Sequence, residues 1–182
     1  MGFAAMLAEV NGLREKGFRQ WVFASGMEFL AERQWWGLPT RRATAHEGVD
    51  FQRYETIAGG RLGELAAGTL VPAALAGEVV RIHDDFLGRT VWLAHGFADG
   101  EGWGLYSVYG HLAPAFSSAA GEQVAAGAII GTVADPALVG RKIAPHLHLT
   151  VARVSGTVAP AHFNWSLVQD PTRVTLLDPL FL

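Results

Sequence analysis

The first residues of the chain carry apolar side chains at helical spacing. They recur every three or four residues, which places them on one face of an α-helix. The positions are Phe3, Met6, Leu7, Val10 and Leu13. Gly17 stands where helices commonly stop, just past the last residue of the pattern. We therefore predict one amphipathic helix over residues 3–16, weakened by Gly12.

Beyond residue 17 the apolar period changes to two. Seven short runs alternate apolar with polar residues and are rich in β-branched and aromatic side chains, which is typical of half-buried strands. The runs are 20–24, 49–54, 78–83, 90–95, 105–110, 128–133 and 146–153. Turn-forming clusters separate them, notably Asp84-Asp85, Gly96–Gly104 and Ser155-Gly156. This order predicts a mainly β fold, an antiparallel β-sandwich or half-open barrel, with the N-terminal helix packed on its outside.

A weak internal echo accompanies this strand pattern. Gly68 to Val79 and Gly121 to Val133 share a similar spacing of glycine, valine and alanine. A duplicated β unit is one interpretation, and chance in a chain rich in these residues is the other.

Composition narrows the classes of function. The 182 residues fit one domain. The net charge is −3, whereas nucleic-acid binders usually carry a basic surface, so we expect no nucleic-acid partner. The chain has no cysteine, so a metal would need nitrogen and oxygen ligands. We also expect no transmembrane segment and no signal peptide, because the short apolar run at the N-terminus follows no basic residue.

Two histidines share one face of the last predicted strand. Alternation places His146, His148 and Thr150 on one side, with Leu147 and Leu149 on the core side. Side chains two residues apart on a strand lie about 7 Å from each other, close enough to serve one small site. A His-x-His pair also arises by chance, so this pattern alone is weak.

His46 and Asp50 form a second candidate pair. Val49 and Phe51 bracket Asp50 on a short strand, and Gly48 permits a sharp bend before it. Gly48 and Val49 disfavour the continuous helix that a His-Glu-x-x-His zinc motif needs. The alternative is a turn in which Asp50 accepts hydrogen bonds from nearby backbone N–H groups.

His111 ends the predicted strand that begins at residue 105, on the same face as Tyr109. It is a candidate only in combination with the other histidines. Asp84 and Asp85 would point to opposite faces of a strand, which is a poor arrangement for an acid and base pair. We interpret both as the polar tip of a hairpin. Several tryptophans either wall a cleft or pack in the core. They are Trp35, Trp36, Trp103 and Trp165.

Three motifs, taken in order, resemble the signature of the LytM or lysostaphin-type peptidases, the M23 metallopeptidase family. They are His46-x3-Asp50, Tyr109-Gly-His111-Leu and His146-Leu-His148. Further matching pieces are Gly68-Thr-Leu-Val-Pro-Ala73, Gly77-Glu-Val79, Gly121-Glu-Gln-Val124, Ile130-Gly-Thr-Val133 and Asp178-Pro-Leu180. The resemblance covers about residues 40–153. We therefore expect an N-terminal helix and lead-in over residues 1–40 and a LytM-like metallopeptidase domain, with its duplicated motif, over residues 41–182.

The resemblance implies a zinc ion (Zn2+) bound by His46, Asp50 and His148, with His111 and His146 as catalytic histidines. Three nitrogen and oxygen ligands leave a fourth position open, as in catalytic zinc sites. It implies a zinc metalloendopeptidase that hydrolyses peptide bonds in peptidoglycan cross-links or stem peptides, in the periplasm or outside the cell. The alternatives are a non-enzymatic module of the same fold that binds cell wall or regulates a hydrolase, and hydrolysis of another amide. The scissile bond, the separate roles of the two histidines and the oligomeric state stay open.

Two stretches depart from the family's pattern. Residues 134–145 replace a Thr-Gly-x-Ser-like loop before the His-x-His pair, which puts the choice of substrate in doubt. Leu149-Thr150 replaces Phe-Glu after it, so a carboxylate is missing there. Tyr109 is either a donor to the oxyanion that develops during hydrolysis or a packing residue.

Overall fold

The computed structural model describes residues 1–38, 40–57, 60–97, 102–114 and 118–182. Helix α1 spans Phe3–Val10 and the short helix α2 spans Trp165–Val168. The strands are β1 (Phe18–Val22), β2 (Val49–Phe51), β3 (Arg53–Thr56), β4 (Leu62–Glu64), β5 (Leu70–Pro72), β6 (Gly77–Asp84), β7 (Arg89–Phe97), β8 (Trp103–Leu112), β9 (Gln123–Val124), β10 (Ile129–Thr132), β11 (Leu147–Ser155) and β12 (Val174–Leu177). No helix among these described residues is long and apolar enough to cross a membrane.

Helix α1 stops well short of its predicted end at residue 16. Gly12 takes the left-handed conformation, with a φ of +57°, which a continuing α-helix does not allow. The side chain of Asn11 bonds both the N–H and the carbonyl oxygen of Leu70, at 2.8 Å each, and so ties this turn to β5. The apolar face of α1 is buried as predicted, at Phe3 and Leu7.

Most strands pair in one seven-stranded antiparallel sheet. Its order is β12-β11-β8-β7-β6-β9, and β2 pairs with β11 on the same side as β12. Two smaller sheets, β1-β3-β4 and β10-β5, complete the fold. Within the described residues the two ends of the large sheet do not pair with each other, so it is not a closed barrel. The predicted mainly β, antiparallel fold with an N-terminal helix is confirmed.

One predicted strand differs from the structure, and one predicted turn lies partly outside the described residues. The strand predicted over residues 49–54 is two strands, because β2 joins the large sheet, β3 joins the three-stranded sheet and Gln52 lies between them. Of the predicted turn Gly96–Gly104, residues 98–101 lie outside the described residues.

The large sheet has an apolar core on each face. Tyr109 and Leu149 pack on one face together with Phe3 from α1. Val108 packs on the other face against Phe163, which follows β11. Alternation along β8 and β11 therefore separates the two cores and places His148 on the second face.

Candidate metal centre and catalytic cleft

His46, Asp50 and His148 meet where β2 pairs with the start of β11. Asp50 lies directly opposite His148 in the register. Oδ1 of Asp50 lies 2.8 Å from Nδ1 of His148 and 3.3 Å from Nε2 of His46, and these two ring nitrogens are 3.1 Å apart. All three side chains are buried. The fold thus joins two stretches far apart in sequence into a group that could hold a metal ion.

The close approach of these stretches depends on Gly48. A Cβ atom at this position would overlap the carbonyl oxygen of Leu149 and lie 2.7 Å from Oγ1 of Thr150. Glycine has no Cβ, so the segment from His46 to Asp50 can lie directly against β11.

His46 and Asp50 are oriented by partners from the N-terminal segment. Nδ1 of His46 lies 2.9 Å from the carbonyl oxygen of Glu28. A carbonyl only accepts, so Nδ1 carries the proton and Nε2 of the neutral ring has a free lone pair. Nε1 of Trp35 donates to Oδ2 of Asp50 at 2.6 Å, which leaves Oδ1 facing the histidines.

His148 is oriented by a neighbour on its own strand. Its Nε2 lies 2.8 Å from Oγ1 of Thr150, while Nδ1 faces Asp50. Outer partners of this kind fix the ring orientation of metal-binding histidines. Thr150, one of the departures from the family's pattern, therefore supports His148 through a hydroxyl group.

The donor set fits a zinc ion. Ligand atoms that surround zinc tetrahedrally at about 2.0–2.1 Å lie about 3.3 Å from one another. The three candidate atoms are separated by 2.8, 3.1 and 3.3 Å. Imidazole nitrogen and carboxylate oxygen are ligands that zinc accepts, and three of them leave one position open.

The charges of the cluster favour the forms that bind metal. Burial raises the pKa of Asp50, but its interactions with the rings of His46, His146 and His148 outweigh burial and hold that pKa well below its usual range. Burial lowers the pKa of His148, although Asp50 opposes this shift. An ionised carboxylate and a neutral imidazole are the states in which these side chains act as ligands.

His146 lies beside the cluster, on the face that alternation predicts. Its Nδ1 lies 2.9 Å from the carbonyl oxygen of Ala144 and therefore donates, while Nε2 lies 4.0 Å from Oδ1 of Asp50. Burial, opposed by Asp50 and reinforced by His111 and His148, lowers the pKa of His146 to about 4. The ring is neutral at neutral pH, with an acceptor at Nε2.

His111 does not follow the alternation of its strand. Its φ of +65° is left-handed, and its ring lies against His146 with ring centroids 4.8 Å apart. Tyr109 points to the opposite face, where its hydroxyl accepts the N–H of Ala74 at 2.8 Å. The predicted face of His111 was therefore wrong, because the left-handed backbone turns the side chain over. The structure favours the packing role for Tyr109.

Asp85 binds both the ring and the backbone N–H of His111. Oδ1 lies 3.1 Å from Nδ1 of the ring, and Oδ2 accepts the backbone N–H of His111 at 2.9 Å. The same carboxylate accepts the N–H groups of Leu87 and Gly88, at 2.9 Å each. Asp85 thus forms the predicted hairpin tip and in addition contacts a candidate catalytic residue, whereas Asp84 is exposed.

A cleft of about 240 Å³ opens above these side chains. Its remaining walls are three aromatic and two charged side chains, Trp36, Phe86, Trp165, Arg42 and Glu47. The ring of Trp165 packs edge-on against His148 and that of Phe86 against His111, with centroids 5.0 and 4.9 Å apart. The walls are therefore apolar, with charges of both signs at Arg42 and Glu47, a lining that suits a peptide chain.

The sequence did not reveal three of the supporting contacts. Trp35 and the carbonyl group of Glu28 belong to the first 40 residues, for which no motif indicated a role near the site. Asp85 lies 26 residues before His111, and its contact with that residue exists only in the folded sheet. The tryptophans gave a partial signal, because Trp36 and Trp165 do wall the cleft.

Comparison with known proteins identifies the family of this chain. The chain matches the model of peptidase family M23 over residues 44–160. No curated protein matches it. Among solved structures it is similar to a variant of the catalytic domain of the prophage-encoded M23 protein EnpA from Enterococcus faecalis, at 20% identity over 79% of this chain and 95% of that one, with a TM-score of 0.44. It is also similar to the catalytic domain of lysostaphin from Staphylococcus simulans, at 24% identity over 76% and 78% of the two chains, with a TM-score of 0.46. Because the family model covers well over half of the chain and includes all five predicted site residues, the chain belongs to peptidase family M23.

Proposed function

We propose that this chain is a zinc-dependent endopeptidase that hydrolyses peptide bonds in bacterial peptidoglycan cross-links or stem peptides. One observation carries the proposal. Two imidazole nitrogens and one carboxylate oxygen converge to within 2.8–3.3 Å of one another beneath a cleft that two further histidines line. That arrangement offers a metal and proton-transfer groups to the same bound peptide.

His46, Asp50 and His148 would hold the zinc ion. When bound, zinc supplies Lewis acidity that makes water more acidic and polarises a peptide carbonyl. The protein contributes ligand orientation through Glu28 and Trp35, whose contacts leave the lone pairs of His46 and Asp50 directed at one point.

His146 fits the role of proton acceptor. Its Nδ1–H is committed to the carbonyl oxygen of Ala144, so the neutral ring has only an acceptor at Nε2. A pKa lowered to about 4 keeps the ring in this form at neutral pH. Nε2 would take a proton from the attacking water and return it to the leaving amine nitrogen as the C–N bond breaks.

His111 fits the role of hydrogen-bond donor to the carbonyl oxygen. The carboxylate of Asp85 lies 3.1 Å from its Nδ1 and orients the ring, as the aspartate of a serine-protease triad does. With Nδ1–H held by Asp85, Nε2 would donate to the oxygen that gains negative charge during attack whenever Nε2 also carries a proton.

Family membership supports the proposed substrate and location. Cell-wall peptides are the substrates that the family resemblance implies, and the aromatic walls of the cleft accommodate a peptide. Acting on them requires the enzyme to work in the periplasm or outside the cell.

Metal content and turnover of purified cross-linked peptidoglycan test the proposal together. The wild-type protein should hold about one zinc ion and release new amino groups, and a chelator should abolish this activity until zinc is restored. His148→Ala should lose zinc, whereas His146→Ala should keep zinc and lose at least about 10²-fold in turnover.

His162→Ala is the matched control, since His162 is exposed and does not line the cleft. Full activity in His148→Ala or in His146→Ala would refute the assignment. A protein that binds peptidoglycan without zinc and without turnover would instead establish the non-enzymatic module. Cleavage of other amides only would change the substrate.

A further inference from the structure

The carboxylate of Asp85 lies in the turn between β6 and β7 and is surrounded by hydrogen-bond donors. Oδ1 accepts the N–H groups of Leu87 and Gly88 at 2.9 Å each, and Oδ2 accepts the hydroxyl of Thr90 at 2.8 Å. These three bonds lie within the turn and the start of β7. Two further bonds go to His111, from its backbone N–H at 2.9 Å and its ring Nδ1 at 3.1 Å.

The bond to the backbone supports a conformation that β8 would not adopt on its own. His111 has a φ of +65°, in a region that residues with a Cβ atom rarely occupy and hold only when their surroundings fix them there. Both backbone polar groups of His111 are bonded outside β8, the N–H to Asp85 and the carbonyl oxygen to the N–H of Ala134 at 2.8 Å. Without this conformation the ring would point toward Tyr109 and away from the cleft.

The bond to the ring selects one nitrogen for the cleft. An ionised carboxylate only accepts, so Nδ1 of His111 must carry a proton. Burial raises the pKa of Asp85, but its hydrogen bonds and charge interaction with His111 outweigh burial and hold that pKa well below its usual range. Nε2, at the other edge of the ring, is then the atom left to exchange protons in the cleft.

We propose that Asp85 is a positioning residue for catalysis, which turns His111 into the cleft and keeps the ring proton on Nδ1. The proposal rests on the proposed function for its effect on turnover. Its structural part, the placement and protonation of the ring, is independent of the substrate.

Asp85→Ala and Asp85→Asn test the proposal, with Asp84→Asn as the matched control. Asp84 is the adjacent carboxylate, is exposed and pairs with Arg89 on the surface, at 3.3 Å. Asparagine can still offer one oxygen to the turn, so Asp85→Asn gives a folded protein if the alanine variant does not fold. The nitrogen resonances of the His111 ring in the zinc-loaded protein then report which nitrogen carries the proton.

We expect Nδ1 of His111 to be protonated in the wild type and in Asp84→Asn. In the folded Asp85 variants part of the population should shift to the form protonated at Nε2. The kcat should fall by roughly 10²-fold, the magnitude of one acid–base group, while KM changes less than about threefold and zinc content stays at the wild-type level. Asp85→Asn should cause no further loss of turnover in a His111→Ala background, because Asp85 acts through that ring.

Unchanged ring protonation together with a kcat within threefold of wild type in folded Asp85→Asn would overturn the proposal. An equal fractional loss of turnover in the wild-type and His111→Ala backgrounds would also overturn it, since that pattern shows a general structural role. If no variant and no wild-type protein cleaves peptidoglycan, the proposed function fails, and the ring resonances still decide whether Asp85 positions His111.

Discussion

Gly48→Ala is expected to move His46 and Asp50 away from His148 without removing any of these three candidate ligands. The substitution adds a single methyl group where the segment between His46 and Asp50 lies against β11. That methyl group would overlap the carbonyl oxygen of Leu149 and crowd the hydroxyl of Thr150. The segment must therefore move away from β11, and the ligands on either side of the gap move apart.

The size of the movement follows from the contacts. The added carbon would lie 2.7 Å from Oγ1 of Thr150 and still closer to the carbonyl oxygen of Leu149, whereas well-packed non-bonded atoms lie about 3.5 Å apart, so a shift of more than about 0.8 Å is needed. Ligand distances in metal sites tolerate only about 0.2 Å. We expect zinc affinity to fall by at least about tenfold, the lower end of what disturbed outer contacts cost. Overpacking should also cost about 1–3 kcal/mol in the free energy of unfolding, or roughly 2–12 °C in Tm.

Competition with a chelator measures the zinc affinity, and a thermal melt monitored by circular dichroism measures the stability. Thr44→Ala is the control, because Thr44 is exposed on the same segment and its alanine adds no atom. A Gly48→Ala protein that binds zinc as tightly as the wild type would show that the close approach at β11 does not set the geometry of the centre.

Three further predictions use other contacts. Trp35→Phe removes the N–H donor to Asp50, so zinc should bind about 10- to 100-fold more weakly in the same chelator competition; unchanged affinity would rule out this support. Zinc at about 1,000 times its Kd should add about 4 kcal/mol to the free energy of unfolding, so removing it with a chelator should lower the Tm by roughly 8–16 °C. The same Tm with and without the chelator would contradict zinc binding to the folded state. The depressed pKa of Asp85 means that its ionised form stabilises the fold above about pH 4, the ordinary aspartate value, and that this stabilisation is lost as the pH falls below it. Asp85→Asn should therefore lose less unfolding free energy than the wild type between pH 5 and pH 3 in urea titrations, and equal losses would refute this.

The faces of the strands could be predicted because they depend on local pattern, whereas the candidate ligand set came from the family resemblance. Alternation around Asp50 and along the strand from His146 to His148 places each side chain on its correct face, and the large sheet then brings the two strands together. The family motif indicated which of the seven histidines share one site. Composition added only the restriction to nitrogen and oxygen ligands.

The errors have a shared physical cause, contacts between residues far apart in sequence. The helix ends at Val10, where Gly12 turns left-handed and Asn11 bonds the backbone of Leu70, 59 residues later. Trp35 bonds Asp50 from a segment without regular alternation, so no period indicated where its side chain points. Propensity and periodicity describe only neighbours along the chain, and such contacts override them.

His111 shows how a few such contacts can reverse a local rule. A left-handed conformation costs a residue with a Cβ atom about 1–3 kcal/mol. Each hydrogen bond to a charged group contributes about 1.5–3 kcal/mol, and Asp85 accepts two from His111. The two bonds are therefore sufficient to offset the strain, and they form only after β7 and β8 have paired. The position of the candidate catalytic ring therefore depends on the residue at position 85. A residue without a carboxylate there would leave His111 free to return to the face of Tyr109.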